Sequence, residues 1–478
     1  MGVLRIPVAK HWRKVRSASH RLSWGVADQG MSSLTNFLLS AFVARSLGAR
    51  EFGAFTLAYV TYGFALNASR GLAVEPLMIR FSGTGLPTWR RAAAGSTGTG
   101  LIVGVAAGIC AFAAGLVAGG TTGQAFIALG LTFPGLLLQD SWRYAFFALG
   151  KGHRAFINDT VWLAIQIPLL LTLKLTGHAN VFWFVIAWGG AAGVGAVFGA
   201  FQARVLPSVI SAGQWLVRHR DLGPRYMVEN TGTNSADMLR SYGVTSILGL
   251  VAVGYIQAAN VLLGPFKIIL FGISMTAIPE AARILRNSPR RLPLFCAAVS
   301  LGLTLVAFAG GVVLIAALPH GLGHLLLGSL WRPAYPLVLP TTIVAMANCA
   351  DIGAIIGLHA LGASRRSMRI GIITPIVVVG SALAGALTMG VSGSLYCAAA
   401  ASWACALLYW WQLREGLRER DGIEVPAWMW PVARSRRTRE PVAVAADRAA
   451  AADAEPAALE ADTKSAALEA ESATLVDP

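Results

Sequence analysis

Apolar stretches of about 20 residues recur along the chain from residue 22 to residue 412, each closed off by a short polar gap. They cover 22–44, 52–77, 93–118, 125–149, 156–175, 179–203, 226–248, 251–281, 293–317, 335–361, 370–389 and 392–412. A helix of about 20 residues spans the ~30 Å hydrocarbon layer of a bilayer, so the pattern predicts twelve transmembrane helices. The gap after the sixth stretch holds Pro207, Gly213, Gly223 and Pro224 among basic residues, the composition of a linker.

The two sets of six stretches share landmarks. Leu47-Gly48 followed by Gly53 recurs as Leu248-Gly249 followed by Gly254, Pro76 and Arg80 recur as Pro279 and Arg283, and Ala148-Leu149-Gly150 recurs as Ala360-Leu361-Gly362. The offsets are 201, 203 and 212 residues, rising as small insertions require. A duplicated unit of six helices is even, so its copies run parallel, related by an axis along the membrane normal. Gly100, Gly104 and Gly108 stack on one face of the third stretch, and Gly189/Gly193 and Gly195/Gly199 do so on the sixth. That spacing lets helices approach closely in lipid.

Charge sets the orientation. Arg and Lys concentrate in the N-terminal tail (Arg5, Lys10, Arg13, Lys14, Arg16, Arg21) and in every second gap, at Arg80/Arg90/Arg91, Lys151/Arg154, Arg204/Arg218/Arg220/Arg225, Arg283/Arg286/Arg290/Arg291 and Arg365/Arg366/Arg369. The alternate gaps hold only Arg45, Arg50, Lys174 and Arg332. Cytoplasmic loops retain positive charge, so both termini are expected inside. The expected fold is an all-α membrane protein with two six-helix lobes related by a parallel pseudo-repeat. Its parts would be a basic N-terminus (1–21), an N-lobe (22–206), a cytoplasmic inter-lobe loop (207–225), a C-lobe (226–413) and a cytoplasmic tail (414–478) that is first basic and then Ala/Glu-rich.

Composition narrows the class. Charged residues make up only 13% of the chain and its mean hydropathy is +0.60, outside the range of soluble domains. The net charge of +16 reads as inside-positive bias rather than as a nucleic-acid surface. Cys110, Cys296, Cys349, Cys397 and Cys405 all fall in apolar stretches, with no CxxC and no pairing pattern. No phosphate loop, metal-ligand spacing or nucleophile–base pattern is visible, and the expected outer loops are short, so neither an enzyme nor a cofactor is indicated. The expected activity is transport across a bacterial inner membrane.

Candidate chemistry lies in polar groups inside the stretches, each costing ~2.5–3.5 kcal/mol at mid-bilayer unless it faces protein or water. They are Asp28, Gln29 and Asn36 in the first; Asn67, Arg70 and Glu75 in the second; and Gln139, Asp140 and Arg143 in the fourth. In the second half they are Glu229, Asn230, Asn234, Asp237 and Arg240 in the seventh; Asn260 and Lys267 in the eighth; and Asn348 and Asp351 in the tenth. Helices one, two and four and their repeat partners would then enclose a polar cavity between the lobes. Substrate-binding candidates are Arg70, Arg240, Lys267, Asn36 and Asn234; candidates for gating or ion coupling, to H+ or Na+, are Asp28, Glu75, Asp140, Arg143, Asp237 and Asp351. Arg70 could equally snorkel to the interface. Asp140 with Arg143, and Asp237 with Arg240, read as i,i+3 pairs. Four embedded cations, Arg70, Arg143, Arg240 and Lys267, point to an anionic substrate such as a diphosphate.

Trp24-Gly25-Val26-Ala27-Asp28-Gln29-Gly30 through Asn36, then Ala44-Arg45-Ser46-Leu47-Gly48 and Glu51-Phe52-Gly53, resembles the opening of bacterial polysaccharide transporters. Ser69-Arg70-Gly71 to Glu75-Pro76-Leu77 and Gln139-Asp140 to Arg143-Tyr144 look similar to the same family. These are the Wzx-type oligosaccharide-lipid flippases of the MOP superfamily, which also holds the MATE exporters and lipid II flippases. The resemblance covers roughly 20–415. It implies two six-helix lobes in a V and alternating access, with the headgroup in the central cavity and the polyprenyl tail in lipid between helices one and eight. The expected partners are the lipid bilayer, a polyprenyl-diphosphate-linked glycan and other polysaccharide-assembly proteins. The alternatives are a MATE-type multidrug or cation antiporter and a membrane polysaccharide polymerase or ligase.

Overall fold

The computed structural model describes residues 8–419 except 265, 267–276, 278–279, 282, 286–287 and 362. The tail beyond 419, the first seven residues and Lys267 lie outside the described residues. Everything described is helix, turn or short connection, with no strand among the described residues.

Each predicted stretch falls on a helix where it is described. The first half runs α1 (Val8–Ser46), α2 (Ala49–Ser69), a π-helical turn (Arg70–Val74), α3 (Glu75–Phe81), α4 (Leu86–Ala118), α5 (Gly120–Ala148), α6 (Gly152–Leu175) and α7 (Val181–Ala203). The connection carries a short helix, α8 (Val209–Arg218). The second half holds α9 (Gly223–Leu248), α10 (Leu250–Leu262), α11 (Leu292–Ala317), α12 (Leu322–Leu327), α13 (Trp331–Ala350), α14 (Ile352–Ala360) and α15 (Ser364–Arg418).

The last two predicted stretches fall within the range of α15 as two helices that turn back on each other at Gly390, where Gly385 packs against Gly393 and Cys397. Gly390 has φ 66° and ψ −148°, a conformation in which a Cβ is strained. The tenth stretch is itself divided, at Asp351. There the Ala350 carbonyl accepts from Ser300 Oγ (2.8 Å) and Trp410 Nε1 (2.8 Å), and Ser300 Oγ accepts the Gly353 amide (2.9 Å). Side chains from two other helices thus satisfy the backbone groups freed by the kink.

Seven helical segments are long and apolar enough to cross a membrane, covering α4, α5, α6, α7, α11 and the α12–α14 and α15 regions. The long helices α1, α2 and α9 fall short of that measure. Their mean hydropathy is low because they carry the polar residues described below.

Helix α5 is the centre of the first half, held between α4 and α7 by small residues. Gly104 and Gly108 lie against Pro134 and Gly130, and Gly189 and Gly199 of α7 lie against Thr132 and Trp142, so a Cβ at any of these four would collide. Lipid offers no hydrophobic force between helices, and this close contact supplies the packing energy instead.

The two halves meet across α2, α9 and α10. A Cβ on Gly53 would strike the Leu250 carbonyl, and a Cβ on Gly254 would strike the Ala49 carbonyl. Gly53 and Gly254 are 201 residues apart, as are Ala49 and Leu250. Each glycine receives a carbonyl from the other turn, so the two close contacts are reciprocal. Farther along, Thr61 Oγ1 and the Tyr242 hydroxyl lie 2.7 Å apart, and Gly71 in the π turn packs against the backbone of Met227.

The connection between the halves is docked rather than loose. Trp215 Nε1 donates to the Leu72 carbonyl (3.2 Å), Arg80 pairs with Asp221, and His219 is buried against Trp215 and Phe81. Burial lowers the His219 imidazole below its ordinary value, and the guanidinium groups of Arg80 and Arg218 push the same way.

Two outcomes follow from this packing. Gly108→Leu should lose about 1–3 kcal/mol of stability through overpacking of α4 on α5, read as a fall in thermal midpoint in detergent. Gly190→Ala, with nothing within 4 Å of the new Cβ, should leave the midpoint unchanged. His219 is a base whose folded value lies below its unfolded one, so its packing is intact above ~6.5 and loses stability as pH falls below that and the buried ring takes up a proton. Amide protection over 214–223, taken relative to the intrinsic exchange rate at each pH, should therefore fall between pH 7.5 and 5, and His219→Gln should remove that pH step.

Candidate functional site

Two polar assemblies lie inside the helices. The first is a buried ion cluster within the first half. The π turn in α2 presents Arg70 to α5, where it grips Asp140 with two parallel hydrogen bonds, Nε to Oδ2 at 2.9 Å and Nη2 to Oδ1 at 2.7 Å. The Arg70 guanidinium also lies over the Tyr144 ring at 4.9 Å. One turn along α5, Arg143 donates from Nε to Asp28 Oδ2 of α1 at 2.7 Å and lies 3.4 Å from Asp159 Oδ2 of α6. Gln139 donates to Asp159 Oδ1 (2.8 Å) and Asn158 Oδ1 (3.1 Å), and Asn158 Nδ2 donates to the Gly195 carbonyl (2.8 Å).

Asp28 is fully inaccessible and Asp159 is 2% exposed. Three carboxylates therefore share two guanidiniums. Asp28 Oδ1 and Asp159 Oδ2 have no hydrogen-bond partner among the described residues. Among the described residues, carboxylates thus outnumber guanidiniums by one in this cluster.

This pairing corrects the expectation that Asp140 and Arg143 form an i,i+3 pair. Each instead reaches across to another helix, Asp140 to α2 and Arg143 to α1 and α6. It also removes Arg70 and Arg143 from the set of cations available to a substrate, because carboxylates within the first half occupy both. Arg70 is turned toward α5 by the bidentate grip of Asp140, with about a quarter of its side chain exposed. Asn158 and Asp159 were not singled out from the sequence.

The second assembly is a cavity of about 490 Å³ between the halves. Its wall takes Gln29, Ser33, Asn36 and Ser40 from α1, Tyr59 and Val60 from α2, Asp237, Arg240 and Ser241 from α9, Gln257, Asn260 and Val261 from α10, and Thr341 and Asn348 from α13. Four pairs on this wall stand 201 residues apart: Asn36 with Asp237, Ser40 with Ser241, Tyr59 with Asn260, and Val60 with Val261. The 201-residue spacing of the Leu-Gly turns thus recurs on the cavity wall. Ser40 and Tyr59 were also missed from sequence, because neither side chain is anomalous in a helix.

Arg240 is the guanidinium on the described wall, and it donates to Asp237 Oδ1 at 3.0 Å, the i,i+3 pair expected. Asp237 remains 77% exposed while Arg240 is 19% exposed, so the carboxylate still faces open space. Gln29 joins the two assemblies. It lines the cavity, and its Oε1 lies 3.4 Å from Arg143 Nη2 in the ion cluster.

The remaining candidates fall elsewhere. Glu75 lies beyond the π turn and hydrogen-bonds Asn230 of α9. Asp351 sits at the α13–α14 kink, away from the cavity wall. Asn234 is on α9, but its side chain lies outside the described set, as does Lys267.

No family profile matches the chain, and no curated protein matches it. Solved structures do. A multidrug resistance MATE family transporter of the MOP superfamily, in its inward-facing conformation, superposes with a TM-score of 0.62 at 14% identity, covering 80% of this chain and 94% of the other. An outward-facing conformation of such a transporter gives 0.52 at 13% identity, covering 82% and 94%. A MOP superfamily transporter from Pyrococcus furiosus, described as having a binding pocket of reversed polarity, gives 0.51 at 12% identity over the same shares. At these identities the likeness establishes the fold. The chain is a multi-pass membrane protein with the helical fold of MOP-superfamily transporters.

The cluster yields a direct test. Arg143→Leu leaves Asp28 and Asp159 buried without a cation and should cost about 3–5 kcal/mol, seen as a large fall in thermal midpoint. Adding Asp28→Asn should recover part of that loss, because a neutral amide no longer needs the guanidinium. A midpoint unaffected by Arg143→Leu would mean that water reaches the cluster.

Proposed function

We propose that this chain is an alternating-access secondary transporter that moves a polyprenyl-diphosphate-linked oligosaccharide from the cytoplasmic to the outer leaflet. In this reading twelve helices form two six-helix lobes with both termini cytoplasmic, and the cavity opens to each side in turn. The observation that carries it is the chemistry of the cavity wall. Amides and hydroxyls dominate, contributed by both halves, and Arg240 adds a guanidinium. Such groups match the hydroxyls of a sugar and, with Arg240, the charge of a diphosphate. For the Pyrococcus furiosus transporter, a reversed polarity of the binding pocket suggests a different function within one superfamily. That supports reading substrate class from the wall rather than from the fold.

Coupling follows from the ion cluster. One proton or sodium ion taken up between Asp28 and Asp159 would balance the excess charge and loosen the hold of Arg143. Because Arg143 also reaches Gln29, the change would be felt on the cavity wall, where substrate occupancy acts on the same side chain.

A second reading has its own observation. Asp237 stays largely exposed on the wall, and a carboxylate there suits a cationic substrate, as in a multidrug antiporter. The two readings separate in cells. Loss of this chain should accumulate lipid-linked oligosaccharide in the inner leaflet and leave sensitivity to cationic dyes unchanged, with Arg240→Ala reproducing the accumulation. Collapse of dye export with normal glycolipids would replace the flippase with the antiporter.

A further inference from the structure

Helix α8 has three distinct flanks. One packs on the protein: Ala212, Trp215 and the following His219 are buried, Trp215 rests on Gly95 of α4, and the Ser208 amide donates to the Ala94 carbonyl at 3.0 Å. A second flank is polar, with Gln214 and Arg218 exposed. The third is apolar and uncovered: Ile210 is 88% exposed and Val217 69%, with Leu206 just before the helix at 78%. A surface helix built for water would not carry that third flank.

The apolar flank continues a surface already on the protein. Along α7, Val194, Val197 and Phe201 are exposed at the i, i+3, i+7 spacing of one helix face and lead in sequence to Leu206 and Ile210. α7 is one of the helices apolar enough to cross a membrane, so this face meets lipid and α8 carries it round onto a helix beyond the span.

Charge is placed where headgroups would be. Arg204, Arg218 and Arg220 are exposed around α8, Arg90 and Arg91 lie one turn from its docking site on α4, and none of the five has an ion-pair partner among the described residues. No acidic side chain occurs between 207 and 220. Arg204 is also the one described non-glycine residue with positive φ (54°), ending α7 where glycine is the usual choice. A guanidinium is kept at that turn despite the backbone strain.

We propose that α8 with its flanking arginines is a docking site for anionic phospholipid: Leu206, Ile210 and Val217 enter the acyl boundary, and Arg204, Arg218 and Arg220 hold headgroup phosphates. The occupant is a lipid leaflet because the apolar flank joins a lipid-facing helix and the unpaired charge is all of one sign. Since the connection between the halves is latched to α3 by Arg80–Asp221, lipid composition would set how firmly the hinge is held. The inference does not depend on which substrate is carried.

The experiment uses the full chain at pH 7.5 in nanodiscs of phosphatidylcholine alone and of phosphatidylcholine with about 30% phosphatidylglycerol. Amide exchange over 206–218 should be at least about threefold slower in the anionic discs. Arg204→Gln/Arg218→Gln/Arg220→Gln should abolish the difference between the discs, and Ile210→Asp should quicken exchange in both. Exchange elsewhere in α4 and α7 reports that these variants remain folded. Equal rates for the wild-type chain in the two discs would overturn the proposal, as would a charge-neutralised variant that keeps the lipid effect. If protection instead tracked discs carrying two copies, the apolar flank would be a self-association surface and the lipid assignment would fall.

Discussion

The constraint on which the first half depends is that a guanidinium and a carboxylate cannot stay apart inside a membrane. Desolvating either costs several kcal/mol, and only close pairing with saturated hydrogen bonds offsets it. Arg70 and Asp140 meet that requirement by bidentate contact, and Arg143 meets it by reaching Asp28 and Asp159 together. Four helices supply these groups, so a shift of any one by a turn would leave a buried charge alone. The cluster sets their register in a way that lipid-facing Leu and Val cannot, since one apolar side chain replaces another in lipid at little cost.

The glycines position the cluster. The helix that carries Asp140 and Arg143 is itself held in place by small residues, since α5 packs closely against α4 and α7 and so fixes where the two side chains start. The π turn at Arg70–Val74 adds one residue to a turn of α2 and presents Arg70 to α5, while Gly71 in the same turn lets α9 approach at Met227. A single irregularity therefore serves both the ion cluster and the contact between the halves, consistent with the frequent placement of π turns at functional sites.

Much of this was legible in the sequence, and what escaped it did so for physical reasons. Period and length marked each helix, because a span must be apolar for about 20 residues whatever it packs against. The glycine faces of the third and sixth stretches were readable as contact surfaces, though not the fact that both contact α5. The offset of 201 was visible at the Leu-Gly turns and proves to align Asn36 with Asp237 and Ser40 with Ser241 on the cavity wall. Pairing partners were not legible. An Asp three residues before an Arg looks like a pair within one helix, and only the three-dimensional arrangement shows Asp140 and Arg143 turning to different neighbours. Asn158 and Asp159 escaped because they lie at the start of their stretch, where polar residues read as interfacial; α6 begins at Gly152 and carries them inside.

The two halves also differ at positions that the landmark offsets place together. At the offsets the landmarks give, Asp28 corresponds to Glu229 and Gln139 to Asp351, so acidic or amide character persists in the second half. Arg143 corresponds to Ile355, and Asp351 has become the hinge of a kinked helix. Without that guanidinium the second half cannot build the same buried cluster. Two of its charges, Asp237 and Arg240, lie on the cavity wall, while Arg414 is buried in α15. The first half thus gathers its buried charge into one interhelical cluster, whereas the second half presents a charged pair to the cavity. Gln29 touches both assemblies, lining the cavity wall and reaching Arg143, so a change in either one is felt at a single side chain.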